Sequence, residues 1–451
     1  MKQRLLFAAS MVLCCVTNPL HAQWYEVTDK QTNDDGKMLW CNYNYKSVDE
    51  RGEEITLSAY MQCGSSPDMK SKFIAEPLNQ LVLAHHVTIF DPKKAPTSEK
   101  SELIDISMAG NQLYIVPDYQ GFGSSVDRNQ LYLIHDLSAR QCYDALEAGK
   151  KLFDEEANVK LHDNWGLYLT GASQGASNAV ATQRFMEQQE LDQQWRLQKT
   201  LVADGPYCPT AMLESYMYDP DYQKLLMPLV LPLTLRALWT AYPEDLAAYK
   251  FTDCFTQSFL PVLTQLENGG DADEISKQLT TDGPMDISTI LSTDLLNQES
   301  ALQKAIKACL AKNDLDQGWT PIHQITGYGC INDDVIPNLN NTRRAEAFDA
   351  ETFAVKDYST YVNIAYPIVH AMDVGLDGKH QITCGLFLGF GTLFFGAVPY
   401  LASMIPNQNP SSLEAIETTP SDDCLYDLYG HKLTPSSKGF SVKNGRVVFT
   451  K

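Results

Sequence analysis

Basic residues are in short supply in this sequence. Its 451 residues hold 35 Lys and Arg against 56 Asp and Glu, a formal net charge of −21. Residues 1–22 contain two of the bases and no acid, so the chain beyond them carries −23. A surface of that sign repels phosphate backbones and anionic lipid, which excludes nucleic acid as a partner and polybasic docking to membranes. No two of the eleven cysteines stand at C-x-x-C spacing, so zinc-ribbon and thioredoxin-like chemistry have no basis. Gly327-Tyr328-Gly329 and Gly389-Phe390-Gly391 lack the third glycine of a dinucleotide-binding loop. His85 and His86 are adjacent on a strand-like segment, where neighbours point to opposite faces, and no carboxylate stands nearby at ligand spacing. No cofactor and no metal are expected.

Charge is missing altogether from residues 382–405, a tract long enough to span a bilayer. Gly385, Gly389, Gly391, Gly396 and Pro399 interrupt it. A helix buried against a sheet is therefore expected there, and no integral membrane span. Elsewhere, 44% apolar and 20% charged residues describe a globular chain. Its length admits one large domain with an insertion and a small appendage.

What is present begins at the N-terminus. Lys2 and Arg4 precede the apolar run Leu5 to Val16, and Pro19-Leu20-His21-Ala22 ends on a small residue. That is the pattern of a secretory signal peptide, 1–22, cut after Ala22; acylation at Cys14 or Cys15 is the rival reading. Export places the chain in the periplasm, at the cell surface or outside the cell. In such an oxidising compartment a disulfide Cys41–Cys63 is expected, because the two flank a hairpin with near-equal arms about Asp49-Glu50-Arg51-Gly52. Buried free thiols are the alternative.

Residues 38–62 alternate apolar and polar around that turn, as a half-buried hairpin does. Short apolar runs at Gln80–Ala84, Gln112–Pro117, Trp165–Thr170, Lys199–Ala203 and Ile322–Thr326 read as strands buried on both faces. Helical spacing separates several of them, at 131–153 and 176–189. Strands alternating with helices imply a mostly parallel sheet covered on both faces. About 120 residues with helical patterning, Tyr207 to Trp319, exceed any ordinary connection and read as a cap inserted over the sheet. Within it Leu225 to Trp239 is almost entirely apolar, suited to a bundle core or to the wall of an apolar pocket, with Leu229 and Leu233 as lining.

Gly171-Ala172-Ser173-Gln174-Gly175 is G-x-S-x-G between a buried strand and a helix. Only small residues fit beside a serine on so sharp a turn, which lifts the hydroxyl above the sheet and aims a helix N-terminus at it. A serine hydroxyl needs a base to remove its proton, and the base needs an acid to orient it. The chain order Ser, acid, His is met by Ser173, by Asp333 after the strand at 322–326, and by His380 in the polar segment Gly378-Lys379-His380-Gln381. His380 is expected as a mobile, partly exposed ring. His370, in the apolar run Tyr366 to Met372, is its competitor and reads as a buried core residue.

Three segments carry a resemblance. Asp118-Tyr119-Gln120-Gly121-Phe122-Gly123, the elbow around Ser173, and Asp333-Asp334-Val335-Ile336-Pro337 resemble those of the α/β-hydrolase superfamily, in particular its secreted lipases and esterases with a large helical cap. The resemblance spans roughly residues 40 to 400. It implies an α/β fold: a mostly parallel α/β-hydrolase sheet with an inserted helical cap and a small C-terminal β appendage. It implies two oxyanion-hole donors, the N–H of Gln174 and one in the loop His86-Val87-Thr88, where Val87 replaces the usual glycine. The implied activity is cleavage of a small-molecule or lipid ester through an acyl-enzyme on Ser173. A serine peptidase of the same fold, and a cell-surface binding protein without catalysis, are the alternatives.

The expected divisions are 1–22 signal peptide, 23–206 first part of the core, 207–319 cap, 320–405 second part of the core, 406–423 linker, and 424–451 a short β module. The linker follows from Pro, Ser, Asn, Thr and acids. The last module, with Leu425-Tyr426-Asp427-Leu428-Tyr429-Gly430 and a turn at Asn444-Gly445, resembles the C-terminal module of certain Gram-negative exported proteins, which implies export machinery as a partner.

Overall fold

The computed structural model describes residues 24–64, 74, 76–98, 111–371 and 378–390, together with four short strands between 425 and 450. The expected signal peptide, the acylation alternative at Cys14 or Cys15 and the linker 406–423 lie outside the described residues.

Nine strands form one sheet: β1 (Tyr25–Thr32), β2 (Met38–Val48), β3 (Glu54–Cys63), β4 (Leu81–His85), β5 (Leu113–Pro117), β6 (Leu167–Ala172), β7 (Leu197–Ala203), β10 (Ile325–Gly329) and β11 (Phe353–Asp357). Their order is β1-β2-β3-β5-β4-β6-β7-β10-β11. The first four strands in that order pair antiparallel and the rest parallel. β4, β5 and β6 are buried along their whole length, which is why they read as continuous apolar runs. Helices α1 (His135–Glu156) and α2 (Gln174–Gln188) supply the crossovers and bury Leu146, Leu152, Val180 and Met186 in the main core.

The hairpin of β2 and β3 forms as expected, but the disulfide does not. Cys41 and Cys63 are free and buried. Register is the reason: Cys41 stands opposite Met61, so Cys63 is its diagonal neighbour two residues on. Diagonal neighbours are about 7–8 Å apart, beyond the usual reach of a disulfide. All eight cysteines among the described residues are free, and burial pushes the Cys41 thiol up to about 12.

Two strands differ from expectation. β1 pairs at the sheet edge with a mostly exposed, polar sequence that carries no apolar signature. β10 begins three residues later than the apolar run at Ile322 and continues through Gly327 and Gly329; Ile322 itself is 71% exposed.

Between β7 and β10 the chain is helical. It comprises α3 (Pro209–Tyr218), α4 (Val230–Ala241), α5 (Leu260–Glu267), α6 (Ala272–Leu279), α7 (Ile287–Ile290), α8 (Thr293–Leu296) and α9 (Ala301–Ala311), with a two-stranded ribbon of β8 (Lys224–Leu225) and β9 (Met285–Asp286). These helices bury a second apolar core around Leu238, Phe259, Ile290 and Ile306, which Leu131 to Ile134, Val335 and Ile336 join from outside the insertion. After β10 come α10 (Asn338–Ala347), α11 (Ser359–Ala371) and α12 (Lys379–Gly385).

The start of the charge-free tract is α12 and the turn after it. Cys384, Phe387 and Leu388 pack on the sheet with Val82, Tyr114 and Tyr168, as a buried helix should. The rest of the tract lies outside the described residues. Among the described residues no helix is long and apolar enough to cross a membrane.

Residues 407–451 are a separate unit. β12 (Leu425–Tyr426), β13 (Lys432–Leu433), β14 (Gly439–Lys443) and β15 (Arg446–Thr450) form an antiparallel sheet in the order β13-β12-β14-β15. Lys443 pairs with Arg446, and the expected turn at Asn444-Gly445 lies outside the described residues.

Candidate active site

Ser173 joins β6 to α2 with φ +54° and ψ −124°, a backbone conformation that L-residues rarely adopt. The neighbouring glycines make it possible. A Cβ on Gly175 would collide with the carbonyl oxygens of His85 and His86, and one on Gly171 with the backbone of Gly175. The turn is also tied to the next strand, since Ser173 N–H donates to Ala203 O at 2.9 Å.

Three side chains from separate parts of the sequence converge there. His380 Nε2 lies 2.8 Å from Ser173 Oγ, and His380 Nδ1 lies 2.9 Å from Asp333 Oδ2. Ser173, His380 and Asp333 form a Ser–His–Asp triad. Asp333 Oδ1 accepts two more hydrogen bonds, from the N–H groups of Val335 and Ile336, each at 2.7 Å. The turn carrying Asp333 is held in its place by α3, whose Tyr216 hydroxyl donates to Val335 O at 2.6 Å. His380 sits in the first turn of α12, and Asp334 accepts from the N–H groups of Lys379 and His380.

His380 differs from expectation in one respect. It is buried, 3% exposed, rather than partly exposed. Burial alone would push the imidazole down, but the Asp333 carboxylate outweighs it and holds His380 well above its ordinary value. Burial likewise disfavours the Asp333 anion, yet His380 and the N–H donors keep that carboxyl below the usual range. The buried ring can take a proton because its charge is balanced in place. His370 lies on α11, and the bonds from His380 to both Ser173 and Asp333 decide between the two histidines.

One residue went unforeseen. Asp204, directly after β7, is buried beside Asp333, and atoms of Asp204, Asp333 and His380 lie within 4.8 Å of one another. The residue follows a parallel strand at its carboxyl end, where site residues gather in such sheets, and that position was the available signal. Cys384 also approaches, with Sγ 3.7 Å from His380 Nε2.

Ser173 opens on an apolar cavity of about 670 Å³ including its mouth. Leu213 and Tyr216 from α3, Val230, Leu231 and Leu235 from α4, and Leu295 and Leu310 beyond them supply its wall. Thr88 and Tyr132 bring hydroxyls into this lining, 3.2 Å apart. The apolar run 225–239 thus serves as both wall and core. Leu229 and Leu233 do not line the cavity; the first is buried and the second packs on the helical core. Of the two expected oxyanion donors, Gln174 is the first residue of α2, and Val87 is half-buried against the cluster of Val82 and Tyr114.

The fold recurs in solved structures. The rice cell wall degrading esterase LipA from Xanthomonas oryzae superposes with a TM-score of 0.58 at 17% identity, over 79% of this chain and 98% of that one. The chain has the α/β-hydrolase fold with a helical cap. A hydrolase from Legionella pneumophila, described as putative, matches with a TM-score of 0.58 at 16% identity, over 78% and 96% of the two chains. Lipase A of Candida antarctica in its closed state matches at 0.52 and 11% identity, over 78% and 82%. No protein-family model and no curated protein sequence matches this chain.

Proposed function

We propose that this α/β-hydrolase is an exported carboxylic ester hydrolase working by two-step acyl transfer. The observation that carries the proposal is the hydrogen-bonded triad at the edge of an apolar cavity. Ser173 Oγ attacks the ester carbonyl carbon while His380 Nε2 takes its proton, and Asp333 holds the imidazolium that forms. His380 then returns the proton to the leaving alcohol. Water attacks the acyl-enzyme by the same route and frees the acid and Ser173.

Developing charge on the carbonyl oxygen is met by two main-chain donors. The Gln174 N–H, in the first turn of α2, has no acceptor within its own helix. Val87 belongs to the loop whose carbonyls pack against Gly175, so its N–H is the second donor.

An ester fits better than a peptide because the lining is hydrocarbon with a few hydroxyls and, among the described residues, carries no ionised side chain to hold a peptide terminus. Two of the matching structures are described as an esterase and a lipase, which agrees. Export rests on residues 1–22 and on the form of 424–451. A panel of p-nitrophenyl esters set against dipeptidyl amides tests the reading. Turnover of esters with a preference for longer acyl groups is expected; faster turnover of the amides would replace it with a peptidase.

A further inference from the structure

We propose that Asp204 is a positioning residue of the triad, an uncharged carboxyl that donates its proton to Asp333 and leaves the buried acid pair with a single negative charge. The proposal rests on the serine-hydrolase reading of Ser173.

The argument is one of hydrogen-bond supply. Asp204 and Asp333 are each 2% exposed, and oxygens of the two carboxyls lie within 4.8 Å of one another. Two carboxylates in contact away from water cannot both stay ionised, so one proton must lie between them. Asp333 receives three N–H donors, from Val335, Ile336 and His380. Among the described residues Asp204 receives a single N–H, that of Cys330, shared between its two oxygens at 3.2 and 3.1 Å. The charge stays where the donors are, and the proton goes to Asp204. Burial and the neighbouring Asp333 accordingly hold the Asp204 carboxyl well above its ordinary range.

The surroundings are built to this arrangement. Asp204 sits at φ +35°, and its N–H is fixed on Tyr328 O at 2.9 Å. A Cβ on Gly329 would stand 2.8 Å from Asp204 Oδ1, so the strand beside it gives up a side chain to admit the carboxyl. The ionisable groups facing Asp204 are Asp333 and Cys330 from the segment after β10, His380 and Cys384 from α12, and Tyr207 from its own segment. Of these only His380 can become a cation, and it is already bonded to Asp333.

A donated proton draws charge out of Asp333. Asp333 then holds the imidazolium less tightly than a bare carboxylate would, and His380 is free to act as a base at lower pH. Without the donor, His380 stays protonated to higher pH.

The test is the rate constant for labelling Ser173 with a fluorophosphonate across a pH series, in the full chain, for wild type, Asp204→Asn and Asp204→Ala. Asn keeps a donor toward Asp333 and an acceptor for Cys330 without a charge, so its acid limb should stay in place. A native Asp204 carboxylate would instead make Asp204→Asn lower that limb by about one pH unit or more, which overturns the proposal. Ala removes the donor, so labelling should slow by roughly ten-fold and the acid limb should rise. Folded Asp204→Ala with wild-type rate and limb would also overturn it, and the Asn result decides alone if Ala does not fold. Wild-type protein that takes no label at any pH removes the serine-hydrolase reading itself, and this proposal with it.

Discussion

The carboxylate of Asp334 accepts the main-chain N–H of His380 at 3.0 Å and that of Lys379 at 2.8 Å. Adjacent acids therefore divide the work: Asp333 binds the ring of the base, and Asp334 binds the backbone that carries it. At the start of α12 the Gln381 side chain accepts the Gly378 N–H at 3.2 Å, and a carboxylate 45 residues away accepts the next two N–H groups.

Asp334→Ala should accordingly cost about 1 kcal/mol of stability, as loss of a cap does. It should also lower kcat by roughly ten- to a hundred-fold, because a base displaced by a fraction of an ångström loses its alignment. Asp334→Asn, which keeps one acceptor oxygen, should fall between. Thermal unfolding and ester kinetics measure both, and wild-type kcat in folded Asp334→Ala would mean that another contact aligns His380.

The cavity makes a prediction about chain length. Leu231→Gln or Leu235→Gln should raise KM for octanoyl esters far more than for acetyl esters, at about 0.8 kcal/mol for each methylene that loses its contact. Leu233→Gln, outside the lining, serves as the control. Equal effects on acetyl and octanoyl substrates would leave α4 a structural helix only.

The pH profile follows from the triad. Attack requires neutral His380, and Asp333 holds that ring well above its ordinary 6.5 despite burial. As pH falls, kcat/KM should therefore begin to drop at a value above about 6.5, the ordinary pKa of histidine. A limb below that value in the free enzyme would contradict the charge balance described for the pair.

Asp118 gives a stability prediction with the opposite chemistry. Burial pushes its carboxyl up to about 7, although Thr97 donates to it. A folded-state pKa above the unfolded one means that the stabilising contribution is complete below about 4 and is lost as pH rises through about 7. Asp118→Asn does not titrate, so its Tm relative to wild type should climb between pH 5 and pH 8. A Tm difference that stays level across that range would show that Asp118 is ionised in the fold.

The legible parts of this protein are those with local signatures. β4, β5 and β6 are buried on both faces, so their sequences are apolar throughout, and the elbow at Ser173 announces itself by the glycines that its backbone requires. Asp333 and His380 were legible through chain order and motif. The edge strand β1 was not, because an edge strand needs no apolar face. The shift of β10 has a similar cause: Gly327 and Gly329 read as breakers, while in the sheet they make room for Val355 and Asp204. Asp204 hydrogen-bonds with Cys330 and Tyr328, more than a hundred residues on, so its role arises only when β7 and β10 lie side by side. The absent disulfide turned on a register offset of two residues, which near-equal hairpin arms do not reveal.

The central claim is that Ser173 is a nucleophile activated by His380. Fluorophosphonate treatment of the wild-type chain, followed by peptide mapping, tests it most directly. A single adduct on Ser173, lost in Ser173→Ala and slowed by about 10⁴-fold in folded His380→Ala, is the predicted result. An adduct on another serine, or labelling of Ser173 at an undiminished rate in His380→Ala, would contradict the account.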